Sequence, residues 1–222
     1  MNSSETTASN PEGSHWILTA FGNRFYFDRG SILAYHYPVE EIALALSRIC
    51  RFGGHCIRFY SVAHHSVLVA DILRRLYPEQ TAGKAGIDLL VAALFHDAGE
   101  AYLGDMVRPL KVMPQFAAFR EMEKLAGECA IRAAGSSPNF DFYGTPYPEV
   151  IKRADNIAIA TERRDIMPTS PDPWTLLGGA KPIEGISTLD YLKPYDGCGA
   201  TLFLNAYRAI KAGEEILNTP TE

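Results

Sequence analysis

The run Leu89-Leu90-Val91-Ala92-Ala93-Leu94-Phe95 leads directly into His96-Asp97. A continuous apolar stretch needs cover on several sides, so this segment belongs inside a packed domain and not on its surface. The polar pair at its end then needs partners, because an imidazole or a carboxylate buried without them is costly. Adjacent imidazole and carboxylate groups at one helix end can face a single metal ion, and Glu100 follows within a turn. One short segment therefore asks for both a core and a reactive centre.

The rest of the chain can supply that core. With 47% apolar residues in 222, the sequence supports one substantial domain, expected over residues 15–217 behind a polar tail, Met1 to Ser14. The formal charge of -5 argues against binding long nucleic acids, while a few local Arg and Lys residues still suffice for a small phosphorylated ligand. Cys50, Cys56, Cys129 and Cys198 show no CxxC spacing, and no stretch has membrane-spanning length, so the expected setting is cytoplasmic and reducing. Cys50, His55 and Cys56 could share a soft metal but lack a matching distant pair, so the two cysteines read as buried or incidental thiols.

The periodicity predicts an all-α bundle with a small N-terminal β-hairpin. Trp16 to Phe21 and Arg24 to Phe27 flank Gly22-Asn23 and suit the hairpin. From Val39, Ile42, Leu46 and Ile49 share a helical face that ends before Gly53-Gly54. Ser61 opens a second helix whose Val62, His65, Val69, Ile72 and Leu76 align, so His65 points inward. Further helices are expected over Gly86 to Ala101, Gln115 to Ala134, Glu149 to Arg164 and Leu202 to Ala212. The Pro- and Gly-rich residues 166–190 form a long connection, read as a structured surface link, a pocket cover or a subunit contact.

His65, His96, Asp97 and Asp155 each fall on or at the end of an apolar helical stripe, so packing the bundle can bring them together. Two imidazoles and two carboxylates suit a divalent transition metal, with water completing the shell. Taken singly, each of these residues would be a satisfied core histidine or a helix anchor.

This arrangement resembles the HD-domain phosphohydrolases, and more closely their compact deoxynucleotide-hydrolysing branch. The matching pieces are Ser61-Val62-Ala63-His64-His65-Ser66, His96-Asp97-Ala98-Gly99-Glu100, Gly104 to Lys111, and Lys152-Arg153-Ala154-Asp155. They span roughly half of the chain, and the ordered set is far more specific than an isolated His-Asp pair. The resemblance implies an HD-domain helical bundle with His65, His96, Asp97 and Asp155 as metal ligands. His64 faces about 100° away on a helix and is either a substrate contact or an exposed structural residue.

By the same resemblance Glu100 activates or positions water; its alternative is to orient a ligand or pair with a base. Asp105 is implied as a catalytic or substrate-orienting group, with turn stabilisation as the alternative. Arg51 matches the upstream arginine of the compact branch and is the leading phosphate contact. Arg58, Arg108 and Lys111 are further basic candidates. Phe52 offers a stacking face for a base or a cap for the core, and Tyr60 or Tyr102 a pocket wall.

The implied activity is hydrolysis of deoxynucleoside 5'-monophosphates to nucleoside and phosphate. The first alternative is release of intact triphosphate from deoxynucleoside triphosphates. The second is a noncatalytic, metal-stabilised nucleotide-binding module. The implied cofactor is one divalent ion, cobalt, manganese, zinc or iron, joined by a second divalent ion when the substrate is a triphosphate. The expected partner is a small phosphorylated nucleotide, with no long nucleic acid, no membrane and the homodimer of the compact branch left open. The hairpin and the Pro168 to Pro182 connection depart from the closest nucleotidase pattern and bear on substrate access.

Overall fold

The computed structural model describes residues 15–135, 147–192 and 199–216. The predicted tail and Cys198 lie outside these. The hairpin is present as β1 (Trp16–Leu18) and β2 (Arg24–Tyr26), antiparallel, with Trp16 opposite Tyr26 and Leu18 opposite Arg24. Its turn is wider than Gly22-Asn23 alone suggests. Thr19 and Asn23 close it, with a Thr19 N to Asn23 O bond of 2.8 Å, so the first strand stops before Phe21. A short helix, α1 (Arg29–Ala34), follows. Asp28 caps it by accepting from Ser31 N at 2.9 Å. It buries only Ile32, too little to leave a periodic stripe in the sequence.

The bundle is built around α3 (Val62–Leu76), which packs on α2 (Val39–Arg48), α4 (Gly83–Leu94), α8 (Tyr147–Ile166) and α9 (Gly199–Ala212). Every residue of α3 from Val62 to Leu73 is buried. It is a central helix covered on all sides, where the periodicity had suggested a single inward stripe. Its Asp71 is accordingly tied down, receiving Tyr191 Oη at 2.7 Å and Arg75 Nε at 2.9 Å.

The helix expected over Gly86 to Ala101 is divided. The α4 helix ends at Leu94, and residues 95–99 form tight turns with bonds from Ala98 N to Phe95 O (2.9 Å) and Glu100 N to Asp97 O (3.0 Å). Then α5 (Glu100–Leu103) begins, and Gly104, at φ 84°, terminates it. His96 and Asp97 therefore sit on a turn between helices. After α6 (Arg108–Lys111), α7 (Ala117–Ala133) runs beside α5. Gly99 allows this approach, since a Cβ there would lie 2.3 Å from Glu123 O.

The hairpin braces α5 from behind. Phe25 stacks on Tyr102 at 4.2 Å, while Tyr35 Oη and Tyr102 Oη donate to Glu41 Oε1 at 2.6 and 3.2 Å. Tyr102 is thus part of the core and not a pocket wall; an aromatic with a polar tip fits here because buried Glu41 accepts from it. The 166–190 connection is a structured surface link clamped to α8. Arg163 donates to Ser170 O and Asp172 O at 3.1 and 2.7 Å, and Arg164 to Ile183 O and Ile186 O at 2.9 and 2.6 Å. No helix among the described residues is long and apolar enough to cross a membrane.

Gly99→Ala should cost about 1–3 kcal/mol of folding stability, because the added methyl must push α7 backbone away. Chemical denaturation of the two proteins side by side measures this, and equal midpoints would contradict the close approach.

Candidate metal centre

Three segments converge on one point. The first turn of α3 carries His65, which is fully buried. Ser61, the N-cap, shares a capping box with His64: His64 N meets Ser61 Oγ at 3.4 Å and Ser61 N meets His64 Nδ1 at 3.3 Å. His64 is therefore neither exposed nor turned to a substrate. It is wholly buried and stacks on Tyr60 at 5.4 Å, which also takes Tyr60 into the core.

The turn after α4 supplies His96 and Asp97. Ligand atoms of His65, His96 and Asp97 all lie within 4.8 Å of one another. His65 Nε2 is 3.7 Å, and His96 Nε2 3.2 Å, from Asp97 Oδ2. Asp155, on α8, brings Oδ1 to 3.2 Å from His65 Nε2, while its other oxygen is held by Lys152. Ligands bound to one ion at about 2 Å each sit roughly 3–3.5 Å apart, the scale of these separations.

The orientation of both rings fits a metal. His96 Nδ1 lies 2.8 Å from Ala93 O and His65 Nδ1 2.6 Å from Glu162 Oε1. Ala93 O can only accept, and an ionised Glu162 does the same, so both Nδ1 atoms then carry a proton and both Nε2 atoms are turned inward, where an ion can stand in place of a proton. Those two Nε2 atoms are buried and have no hydrogen-bond partner. A divalent ion at their meeting point would satisfy them together with Asp97 and Asp155.

The electrostatics agree. Burial opposes a charged His65, as does Arg51, yet Glu162 and Asp155 raise it to about 9. Burial likewise works to raise Asp97, but His96, His65 and Arg51 hold it well below the usual carboxylate range. Asp155 is lowered by His65 and Lys152 against the same burial cost. A centre that draws positive charge to itself this strongly is suited to a cation.

Around it the other candidates divide. Arg51 is 8% exposed and sits 3.5 Å from both Asp97 Oδ2 and Glu162 Oε2, with its Nε buried and without a hydrogen-bond partner. Glu100, 2% exposed, is gripped through Oε1 by Lys111 at 2.8 Å, leaving Oε2 buried without a hydrogen-bond partner. Burial and Asp97 hold Glu100 well above the usual range despite Lys111. Lys111 also pairs with Glu123 at 2.7 Å, so its charge is engaged by two carboxylates.

Asp105 is half-buried, and burial, then Asp97, raises its carboxyl while Arg51 lowers it. It caps no helix, since Val107 is the N-cap of α6. Arg108 bonds Asn156 Oδ1 at 2.8 Å, one residue past Asp155. Arg58 is exposed and has no ion pair among the described residues; nothing brings it to the centre.

Phe52 packs on Trp174 with ring centres 5.7 Å apart, and on Ile159, Ala160 and Leu177. It takes the core-capping alternative and not the stacking face for a base. Its φ of 54° is unusual for a bulky residue and occurs directly beside Arg51. Beside α8 a cleft of about 650 Å³ is lined by Lys152, Arg153, Asn156 and the 177–181 segment. On the opposite side His96 and Asp97 border a cavity of about 200 Å³ against α7.

Sequence reasoning missed Glu162. The clue was present: it follows Asp155 by seven residues and Ala158 by four, which places it on the same inward face of α8.

Added Mn²⁺ should raise the melting temperature of metal-stripped protein in proportion to the logarithm of its concentration, and Asp97→Ala should abolish the shift. Scanning calorimetry on both proteins checks this; an undiminished shift in the variant would remove Asp97 from the ligand set. The HD domain family profile matches residues 62–135, which include His65, His96, Asp97 and Glu100. The chain is 37% identical over 170 residues to the uncharacterised protein YfdR of Escherichia coli, covering 76% of this chain and 82% of that protein. An uncharacterised protein of Rhodobacter capsulatus is 40% identical over 75 residues, 33% of this chain and 36% of that protein. With His65, His96 and Asp97 clustered so that they could hold a metal ion, the chain belongs to the HD-domain superfamily of metal-dependent hydrolases.

Proposed function

We propose that this protein is a nucleotide phosphohydrolase that cleaves deoxynucleoside 5'-monophosphates to nucleoside and inorganic phosphate. The observation that carries the reading is the juxtaposition of two unsatisfied kinds of group. The His65 and His96 Nε2 atoms face the metal position, and the buried Arg51 Nε beside them lacks an acceptor of the kind a phosphate oxygen provides. The order Arg51, Glu100, Asp105 around the centre supports the compact deoxynucleotidase branch over other phosphoester hydrolases.

His65, His96, Asp97 and Asp155 would hold the divalent ion, which when bound lowers the pKa of water and polarises the phosphoryl group. Arg51 binds the phosphate and neutralises charge on its oxygens as the transition state forms. Glu100, fixed by Lys111 through one oxygen, uses the other to orient the attacking water and accept its proton. The water oxygen bonds to phosphorus as the bond from phosphorus to the 5' oxygen breaks. Asp105, whose carboxyl is raised by burial, returns a proton to the departing alkoxide.

A second reading has its own support. Arg153 and Lys181 line the cleft beside α8 together with Lys152, which Asp155 holds, and the acid Glu149, and this balance of charge favours a longer phosphate chain. It would suit a deoxynucleoside triphosphate releasing triphosphate intact.

Metal-reconstituted protein given deoxynucleoside mono- and triphosphates should release inorganic phosphate from the monophosphates, followed chromatographically. Intact triphosphate as the product would select the second reading, and no product from either would reject both. In the same assay Glu100→Gln should lower kcat by about 10²- to 10⁴-fold, the usual worth of a positioned acid or base.

A further inference from the structure

Glu162 is completely buried and touches two different working groups. Its Oε1 lies 2.6 Å from His65 Nδ1, and its Oε2 lies 3.5 Å from a terminal nitrogen of Arg51. We propose that Glu162 is a positioning residue for the metal centre, holding the His65 ring in the tautomer and orientation that present Nε2 to the ion. The assignment rests on His65 being a metal ligand, and so on the reading given above.

The alternative for a buried glutamate is an ion pair kept for stability alone, with Arg51 as its counterion. The distances favour the histidine. The contact to His65 is a short hydrogen bond, whereas the contact to Arg51 is nearly 1 Å longer and leaves Oε2 without a hydrogen-bond partner. The rigidity of the surroundings points the same way. Glu162 stands two helical turns from Asp155 on α8, so one helix delivers both a carboxylate toward the ion and the carboxylate behind the opposing histidine. His65 is thereby held between Glu162 at Nδ1 and Asp155 and Asp97 at Nε2. His96 gets the equivalent support from a backbone carbonyl, Ala93 O, which no side-chain substitution removes. Glu162 is thus the support of the two-histidine set that mutation can remove.

Removing a group of this kind weakens metal binding by about 10- to 100-fold in other metal sites. The test is a calorimetric titration of the metal-stripped, full-length protein with Mn²⁺, and with Co²⁺ or Zn²⁺ if Mn²⁺ does not bind. Wild type, Glu162→Gln and Glu162→Ala are compared, and the melting temperature of each metal-free form is recorded alongside. Glu162→Ala should bind about 10- to 100-fold more weakly. Glu162→Gln, of the same shape and still an acceptor, should fall between it and wild type. Folded variants that bind the ion as tightly as wild type would overturn the proposal, whatever their melting temperatures. Should the alanine variant not fold, the isosteric glutamine variant decides alone. Wild type that binds none of the three ions would overturn the metal centre itself. Wild type that binds an ion but hydrolyses no nucleotide would reject the proposed activity and leave the role of Glu162 standing.

Discussion

The structure depends on the burial of α3 on every side. A helix with no solvent-facing stripe has nowhere to discharge its polar side chains, so leaving one there without a partner is costly. Ser61 pairs with His64 Nδ1 at the cap and Asp71 is taken up by Tyr191 and Arg75, while His64 Nε2 and Ser66 Oγ are buried without a hydrogen-bond partner. His65 is satisfied on one side only, by Glu162. Its inward nitrogen, the equivalent nitrogen of His96 and a carboxylate oxygen of Asp97 form a cluster that could hold a metal ion. The candidate centre thus forms where a half-paired histidine of the buried helix meets the turn after α4.

Holding that centre in place takes structure from well outside it. The turn carrying His96 and Asp97 is pressed between α4, whose apolar run is wholly buried, and α5, which meets α7 backbone at Gly99. Behind α5, the aromatic rings of Phe25, Tyr35 and Tyr102 close over Glu41 and bind the hairpin to the bundle. Glu100 is therefore fixed from the rear by packing and from the front by Lys111. On the far side, Arg163 and Arg164 tether the 166–190 connection to α8, so that the cleft beside Asp155 has a defined wall.

Much of this was legible in residue patterns. Ser61 as a helix start, the inward turn of His65 and the six long helices follow from side-chain spacing, because amphipathic periodicity records which face will be buried. Elements lacking such a record were missed or blurred. The α1 helix buries a single residue, and α6 buries none. The break at residues 95–99 was invisible because apolar residues occupy either side of it, so helical spacing appeared to continue. His64 and Tyr102 were misplaced for a related reason: a polar tip on a buried side chain looks like a surface or site residue until its partner, distant in sequence, is known.

What the sequence determined by itself is the chemistry on offer: two histidines and two aspartates lie on apolar helical faces that packing can bring together, and the basic and acidic residues of the motifs travel with them. Tertiary structure decided how each was used. It set Lys111 as a clamp on Glu100, left Arg58 exposed, and placed Glu162, 97 residues away in the chain, against His65. The physical reason is that burial and hydrogen-bond reach are properties of distance in space. Spacing along a helix fixes the direction in which a side chain leaves the backbone, and only the packing of one helix on another fixes what it meets there.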